Sequence, residues 1–209
     1  MNLTPEIIES RLSSRQQNPD LHPQEVLPSF SDSALQPAAV IMPLYRQAAS
    51  WHLLFIKRSD QDQDRHRGQI AFPGGRREEQ DSSLLDTALR EAEEEITLLP
   101  RDVRVLGALD GISTVTDYQV TPFVGLIPWP YPLEPDQREV ERVLSIPLAW
   151  LANPDNRERK LWPPSEINGD QVPVYFFDPY QGDVLWGASA QLVVNFLNAV
   201  LPGHQDPLS

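Results

Sequence analysis

The segment from Ser82 to about Ile96 has the spacing of an amphipathic helix and is the strongest helix signal in the chain. At about 100° per residue its apolar side chains gather on one face, and these are Leu84, Leu85, Ala88, Leu89, Ala92 and Ile96. Such a face must be buried against another element, and strand-length apolar runs stand before and after it. A helix in this setting favours an α/β fold.

Short apolar runs of strand length occupy much of the remaining chain. They are Ala38–Leu44, Trp51–Ile56, Ile70–Phe72, Val103–Leu109, Tyr118–Ile127, Leu144–Pro147, Val172–Phe177 and Val184–Trp186. We predict a hairpin or meander for the first two and a turn at Pro73-Gly74-Gly75, which ends the third. Further helices are predicted after Thr4-Pro5, as N-cap and first helical position, and over Ser189–Val200. Irregular mixing of strands and helices predicts an α/β sandwich rather than a regular βαβ winding.

The length of 209 residues suits one domain with a terminal extension. Residues 1–36 are predicted to hold the N-terminal helix and, from Ser13, an irregular arm. The main domain is predicted over residues 37–203, followed by a tail over 204–209. Proline accounts for 21 residues, about twice the usual share of roughly 5%, so we expect many loops and short elements.

Charge and composition exclude several classes of protein. Thirty acidic against 17 basic residues give a net charge of −13, which argues against a general nucleic-acid binder. The absence of cysteine removes disulfides, thiolate zinc sites and a cysteine nucleophile. No apolar run approaches the roughly 18 residues of a membrane span. The opening MNLTPEIIESR lacks the pattern of a signal peptide, so we predict a cytoplasmic location without a membrane partner.

Three carboxylates lie beside the apolar face of the predicted helix. Glu91, Glu94 and Glu95 fall within an arc of about 100°, whereas Glu93 points away. Their repulsion costs roughly 0.2–0.5 kcal/mol per pair on an exposed helix and more beside a buried face. A divalent cation such as Mg²⁺ or Mn²⁺ would replace this repulsion with coordination. From the helix alone, a solvated charged face with Arg90 in a surface ion pair explains the run at least as well.

The residues before the helix separate these alternatives. Phe72-Pro73-Gly74-Gly75 ends a strand, and Arg90-Glu91-Ala92-Glu93-Glu94-Glu95 follows in the helix. This loop and helix resemble the signature of the Nudix hydrolases, G-x5-E-x7-R-E-U-x-E-E-x-G-U with U apolar. The matching residues are Gly75, Arg90, Glu91, Ala92, Glu94, Glu95 and Leu98. The resemblance implies an α/β fold of the Nudix type, an α/β/α sandwich with a mixed sheet, and a pyrophosphohydrolase.

Three departures from the signature leave its metal-binding glutamates in place. Asp81 stands where glutamate is usual and shortens one carboxylate arm, whereas Thr97 replaces a glycine after the helix. The spacing from Gly75 to Arg90 is one residue longer than in the general pattern.

Flanking segments are similar to those of the coenzyme A pyrophosphatase group within this family. The likeness rests on Leu53-Leu54 with Lys57-Arg58-Ser59 and on HRGQIAFPGG from His66 to Gly75, and it covers about residues 38–200. Further matches are Thr87–Glu91, Val120–Gly125, Glu139–Glu141 and Leu185–Ala190. The resemblance implies hydrolysis of coenzyme A or its thioesters to 3′,5′-adenosine bisphosphate and 4′-phosphopantetheine or its acyl derivative.

Basic residues are concentrated just before the predicted helix. Six of the 17 lie within 21 positions: Lys57, Arg58, Arg65, Arg67, Arg76 and Arg77. Such a patch would attract an anionic substrate against the field of an acidic protein, and arginine forks suit phosphate oxygens. Alternatively Asp60, Asp62 and Asp64, in a stretch that is more often basic in the group, pair with these arginines on a solvated loop. His66 would by itself be a structural hydrogen bonder, and its place in the patch favours a phosphate contact.

The resemblance implies a role for each candidate site residue. One or more Mg²⁺ or Mn²⁺ ions would be held by Glu91, Glu94, Glu95 and the Gly74 carbonyl. Arg90 would orient one of the glutamates, and the general base would be Glu94, Glu139 or Glu141, which the sequence does not rank. Substrate contacts are predicted for Arg58, Arg65, His66, Arg67, Gln69 and Gly75.

Two other functions stay open within the same fold. One is a Nudix enzyme for ADP-ribose or another nucleoside diphosphate derivative, which shares the metal-binding helix. The other is a non-catalytic binding module, which predicts eroded glutamates, whereas this chain retains them. The sequence contains neither a G-x-S-x-G elbow nor a P-loop, so it supports neither a serine hydrolase nor a P-loop nucleotide-binding enzyme. It also leaves the oligomeric state open.

Overall fold

The computed structural model describes residues 3–16, 35–59, 68–114, 116–162, 172–201 and 203. The helices within these ranges are α1 (Pro5–Gln16), α2 (Leu84–Ile96), α3 (Leu148–Leu151) and α4 (Gly187–Val200). The strands are β1 (Gln36–Gln47), β2 (Ser50–Arg58), β3 (Ile70–Ala71), β4 (Gly74–Arg76), β5 (Arg104–Ala108), β6 (Ile112–Ser113), β7 (Tyr118–Leu126), β8 (Val140–Pro147), β9 (Arg157–Trp162) and β10 (Val172–Phe177). None of the helices in these ranges is long and apolar enough to span a membrane.

Eight of these strands form one mixed sheet. Its main path is β3-β2-β1-β7-β5, with β8 paired to β2, β4 to β1 and β6 to β7. β1 and β7 are parallel, from Gln36 opposite Tyr118 to Leu44 opposite Leu126, and the other pairs are antiparallel. β9 and β10 form a separate antiparallel pair. The predicted mixed sheet and the β1–β2 hairpin are confirmed.

Alternate residues of β1 and β2 point to two different hydrophobic clusters. Ile41 and Leu54 face α2 and pack with its apolar residues. Met42 and Leu53 face the other side and pack with residues of α1 and α4. Because helices cover both faces of the mixed sheet, the predicted α/β sandwich is confirmed.

The N-terminal helix belongs to this packing. Its first turn is capped by Thr4, whose Oγ1 accepts from the Ile7 amide at 3.3 Å. Leu3, Ile8 and Leu12 are buried in the cluster under α4. The helix continues to Gln16, so the irregular arm does not begin at Ser13 as expected. Residues 17–34 lie outside the described ranges, and the domain boundary near residue 36 stays a prediction.

The turn predicted at Pro73-Gly74-Gly75 is wrong in its second half. Gly74 and Gly75 are in β4, opposite Val40 and Ala39 of β1. Gly74 has φ +150°, and a Cβ there would lie 2.3 Å from the Ala39 carbonyl oxygen. Glycine at position 74 therefore allows the backbones of β4 and β1 to approach each other closely, and strand pairing continues through it.

The predicted strand Val184–Trp186 is also wrong. Its last residue forms a single bridge with Phe176 and is already the N-cap of α4. β9 was not expected, because its sequence RERKLW alternates charges rather than apolar residues. It forms a strand because β10 pairs with it along its whole length.

Candidate active site

The helix α2 begins and ends with the capping groups that its sequence provides. Ser83 is the N-cap, and its side chain accepts from the Asp86 amide at 3.1 Å. Thr97 closes the helix with φ +58°, and its amide donates to Glu93 while the Leu98 amide donates to Ala92. This left-handed position is one that glycine occupies most easily. Thr97, which stands where the signature has glycine, therefore adopts a left-handed backbone conformation that glycine would take more easily.

Asp81 is the anchor of the loop before the helix. The residue is 5% exposed, and its carboxylate accepts from the Glu78 amide at 2.8 Å and from Thr87 Oγ1 at 2.9 Å. Arg90 donates to it through Nε at 2.9 Å and Nη2 at 3.1 Å. The hydrogen bonds from Arg90 hold the pKa of Asp81 well below its usual range. The shortened carboxylate arm therefore binds the helix arginine.

Arg90 joins this anchor to the glutamates. It lies 3.0 Å from Glu91 Oε1 and donates through Nη1 to Glu94 Oε2 at 2.9 Å. Hydrogen bonding to Asp81 raises its pKa further above its ordinary value, so the guanidinium stays charged. The prediction that Arg90 orients a glutamate is consistent with these contacts, which reach two glutamates rather than one.

Glu95 is the buried acid of the site. Only 2% of the residue is exposed, within the packed face of α2. Its Oε2 accepts from the Gly74 amide at 3.0 Å, and its Oε1 lies 3.6 Å from Arg58 Nη1. Burial raises the pKa of Glu95 to about 8. Burial also raises the pKa of Glu91, one turn away on the same helix.

Gly75 allows strand β4 to lie close to helix α2. A Cβ at this position would lie 2.6 Å from Oε1 and 2.8 Å from Oε2 of Glu91. Only glycine therefore leaves the Glu91 carboxylate its present place beside β4. The contact seen for Gly74 is made by its amide, and the predicted role of its carbonyl in metal binding stays a prediction.

Glu139, in the turn before β8, adds a further negative charge near the same acids. Its charge adds to the effect of burial in raising the pKa of both Glu91 and Glu95. Its carbonyl oxygen accepts from the Ser59 amide at 2.8 Å, which ties it to the end of β2. Glu141, by contrast, lies 3.1 Å from Lys57 through Oε1. Of the two off-helix candidates for the base, Glu139 raises the pKa of the buried glutamates, whereas Glu141 pairs with Lys57.

The predicted substrate residues are only partly described. Arg65, His66 and Arg67 lie outside the described ranges, as do Asp60, Asp62 and Asp64. Arg58 is adjacent to Glu95, and its amide donates to the Gln69 carbonyl at 3.0 Å. Arg77, counted in the basic patch, donates instead to the Asp81 carbonyl at 3.1 Å, so it supports the loop.

Thr87 is a site residue that the helix wheel missed. It is fully buried and donates to Asp81. Its position inside the TALRE run, Thr87–Glu91, was the available signal. Its hydroxyl explains why a polar residue stands on the packed face of α2.

The fold and this site together define the class: α/β proteins in which an acidic helix follows a glycine-rich β-strand of a mixed sheet. The family model described as the NUDIX domain matches residues 34–184. The chain therefore belongs to the Nudix hydrolase family.

Relatives and a solved structure agree with this assignment. An uncharacterised Nudix hydrolase NudL of Yersinia enterocolitica is 37% identical over 156 residues, which cover 75% of this chain and 77% of the relative. The NudL protein of Escherichia fergusonii is 45% identical over 112 residues, but the alignment spans only 57% of that protein's length and 54% of this chain. A MutT/nudix family protein of Enterococcus faecalis superposes on 94% of this chain and 73% of its own, with a TM-score of 0.53 and 16% identity, which supports the fold alone.

Proposed function

We propose that this chain hydrolyses a diphosphate linkage with the help of a divalent cation. The observation that carries the proposal is the burial of Glu95 beside Glu91, with the charge of Glu139 near both. Like charges gathered in a poorly hydrated place cost free energy unless a cation compensates them. Perturbed acids of this kind are typical of functional sites.

The residues fit a hard divalent cation by the chemistry of their donors. Carboxylate oxygens are what Mg²⁺ and Mn²⁺ prefer, and Gly75 leaves room for the Glu91 carboxylate beside the β4 backbone. Within the described ranges, no three acidic or histidine side chains converge closely enough to enclose an ion as they stand. Their oxygens instead accept from protein donors, such as Arg90 for Glu91 and the Gly74 amide for Glu95.

In the proposed reaction Glu91 and Glu95 would hold the cation, with Glu94 and the Gly74 carbonyl as further ligands. When bound, the cation would neutralise charge on the phosphoryl oxygens and make a water molecule more acidic. Arg90 would keep Glu91 and Glu94 oriented through the contacts described above. A carboxylate oxygen of Glu139 would accept the proton of the water whose oxygen attacks phosphorus, as the P–O bond to the leaving phosphate breaks. Glu94 is the competing candidate for this base.

The substrate that we propose is coenzyme A or one of its thioesters. This finer proposal is supported by the LL and KRS residues of β2 and by the HRGQIAFPGG run, which are similar to those of coenzyme A pyrophosphatases. Arg58, the last residue of β2 and a member of the basic patch, lies beside Glu95. One end of the patch is therefore next to the acidic residues of α2. The products would be 3′,5′-adenosine bisphosphate and 4′-phosphopantetheine or its acyl derivative.

The test is a substrate panel with the purified chain and Mg²⁺ or Mn²⁺. Coenzyme A, dephospho-coenzyme A, ADP-ribose and dinucleoside polyphosphates are compared by kcat/KM, with products identified by chromatography. We expect metal-dependent hydrolysis, and coenzyme A as the best substrate. A preference for ADP-ribose would retain the diphosphate hydrolase and reject the coenzyme A proposal. No hydrolysis of any of them, at any metal concentration, would favour the non-catalytic binding module.

A second experiment tests whether the basic patch binds the 3′-phosphate of coenzyme A. Coenzyme A carries a 3′-phosphate that dephospho-coenzyme A lacks, so a patch arginine that binds it should matter only for the former. A charge-assisted hydrogen bond is worth about 1.5–3 kcal/mol, which is roughly tenfold or more in kcat/KM. Arg67→Ala should remove much of the preference for coenzyme A, whereas Arg101→Ala, on an exposed arginine that is not one of the six patch residues, serves as control. Equal losses on both substrates would contradict a 3′-phosphate contact.

A further inference from the structure

Four charged side chains form a cluster beside the candidate site, on the other face of β2. Lys57 Nζ lies 3.1 Å from Glu141 Oε1 and 3.6 Å from Asp183 Oδ1. Arg142 donates through Nη2 to Asp183 Oδ2. We call these four residues the Asp183 cluster. The Asp183 side chain is only 11% exposed, so it is the inner member of the cluster.

The Asp183 cluster lies on a β-bulge. Lys57 is opposite Arg142, but the next residue of β2, Arg58, is opposite Val140. Glu141 is therefore the extra residue of β8. Bulges bend a strand and change where the neighbouring side chains point, and they are frequent beside active sites. Here the bulge lies between the regular part of the β2–β8 pair and the segment that carries Arg58 and Glu139.

Asp183 compensates two cations that this register places together. Lys57 and Arg142 are cross-strand neighbours, and like charges directly opposite each other destabilise a strand pair. Asp183 contacts both of them. Its own place is set by a tight turn, because Tyr180 and Asp183 exchange backbone hydrogen bonds. The turn residues Gln181 and Gly182 both have positive φ, 53° and 92°, as a two-residue hairpin turn requires.

Beyond the bulge, residues of β2 and of the turn before β8 lie near the acidic residues of α2. The Ser59 amide donates to the Glu139 carbonyl at 2.8 Å, and Arg58 reaches Glu95. A shift of β8 against β2 would therefore move Glu139 relative to Glu91 and Glu95, while leaving the carboxylates of α2 in place.

We propose that Asp183 is a positioning residue: by pairing with Lys57 and Arg142 across the β2–β8 bulge, it fixes Arg58 and Glu139 against the carboxylates of α2. This inference rests on the proposed function for its effect on turnover. Asp183 does not reach the substrate in this role. It acts through the register of two strands, in the way that residues behind a metal site orient its ligands.

The test compares Asp183→Asn with Asp178→Asn. Asp178 is an exposed aspartate on the same β10–α4 connection and is the matched control. In Asp183→Asn we expect kcat to fall by about 10–100-fold, as for residues that orient a site from behind, with little change in KM. Asp183→Glu, which keeps the charge, should restore most of the loss. Arg142→Gln should lower kcat in the same direction, and its effect should not add fully to that of Asp183→Asn.

Hydrogen exchange supplies a readout that does not depend on turnover. The Ser59 amide should exchange faster in Asp183→Asn than in the wild type, whereas amides of α4 should not change. Unchanged kcat together with unchanged exchange at Ser59 would overturn the inference and leave a surface ion pair of little value. Faster exchange throughout the chain would overturn it in favour of a general loss of stability. If the wild type hydrolyses no diphosphate, the proposed function fails, and exchange at Ser59 still decides whether Asp183 fixes the bulge.

Discussion

The two faces of the central sheet differ in what their helices bury. On one face, α1 and α4 contribute apolar side chains such as Ile8, Leu12 and Phe196, all fully buried. On the other face, α2 buries Thr87 and Glu95 among its alanines. The apolar face gains free energy from burial, roughly 25 cal/mol for each Å² removed from water. The acidic face gives up part of that gain, because a buried carboxylate is poorly hydrated.

This difference indicates that stability and chemistry are assigned to different sides of the sheet. Natural proteins break the rules of packing mainly where function requires it. Substitutions of the apolar residues that α1 and α4 bury should change the free energy of unfolding, whereas substitutions of the buried acids of α2 should change turnover. The following predictions test that separation.

The largest effect is expected for Glu95→Gln. The amide is nearly the same shape as the carboxylate and keeps an oxygen for the Gly74 amide, but it removes the charge proposed to hold the cation. We expect kcat to fall by about 100-fold or more, on the scale of lost charge stabilisation in active sites. Steady-state kinetics with Mg²⁺ measures this, with Glu93→Gln, an exposed glutamate of the same helix, as control.

Thermal unfolding without metal shows whether a loss of kcat in Glu95→Gln comes from a lost metal ligand or from a damaged fold. At neutral pH the variant should be at least as stable as the wild type, because glutamine is neutral in the unfolded chain as well, so folding does not require protonation of a buried acid. A large loss of stability in metal-free buffer would instead assign Glu95 a structural role. Glu94→Gln should also lower kcat with the fold intact, but Glu94 is 59% exposed, so we expect the smaller loss there.

On the opposite face, Ile8→Ala should destabilise the chain without changing its chemistry. Removing most of a fully buried isoleucine from the cluster under α4 should cost about 2–5 kcal/mol. Urea denaturation measures this, and kcat per folded molecule should stay at the wild-type value. Ser10→Ala, on the exposed side of α1, should leave the midpoint nearly unchanged. A loss of kcat in folded Ile8→Ala would mean that the two faces are coupled.

Asp81→Asn should affect both properties, because Asp81 joins the loop to the acidic helix. It weakens the charge-assisted bonds from Arg90, which should lower the free energy of unfolding by about 1.5–3 kcal/mol. Since Arg90 also contacts Glu91 and Glu94, kcat should fall as well, though less than in Glu95→Gln. Asp86→Asn, an exposed aspartate in the first turn of α2, is the control. A stability loss with full activity would show that Arg90 orients no glutamate.

The last prediction concerns the pH dependence of stability in the metal-free protein. Glu95 has a pKa of about 8 in the folded state, against about 4.3 for an ordinary glutamate. The folded state therefore binds the proton more tightly, so the stability contribution of neutral Glu95 is present below about pH 4.3 and is lost as pH rises through 8. Denaturation midpoints of the wild type and Glu95→Gln, compared from pH 5 to 9, should converge at low pH and separate at high pH. Parallel curves would contradict the raised pKa.

The local elements of the site followed from the sequence. The predicted helix from Ser82 to Ile96 is found as α2 from Leu84, with Ser83 as its cap. Its apolar spacing, its capping residues and the signature around Arg90 all lie within one short segment. Periodicity and capping depend on neighbours in the chain, so a sequence contains them completely.

The buried face of α2 nevertheless differs slightly from the face that its apolar residues predict. The prediction counted Leu85 and Leu89 in the core, but both are only partly buried, whereas Thr87 and Glu95 are fully or almost fully buried. Residue type predicts burial for apolar side chains. It fails where a polar side chain finds its partners inside, as Thr87 does with Asp81 and Glu95 with Gly74.

Only the tertiary structure decided which distant residues join the helix. Arg58 reaches Glu95 because β2 lies beside β1 in the sheet, and the charge of Glu139 comes near the acids because its carbonyl oxygen accepts from the Ser59 amide at the end of β2. The sequence left Glu94, Glu139 and Glu141 unranked as bases, and the register separated the last two by directing Glu141 to Lys57. Strand order and register depend on pairing between residues far apart in the chain, and a bulge shifts them by one residue without any periodic signal in the strand itself.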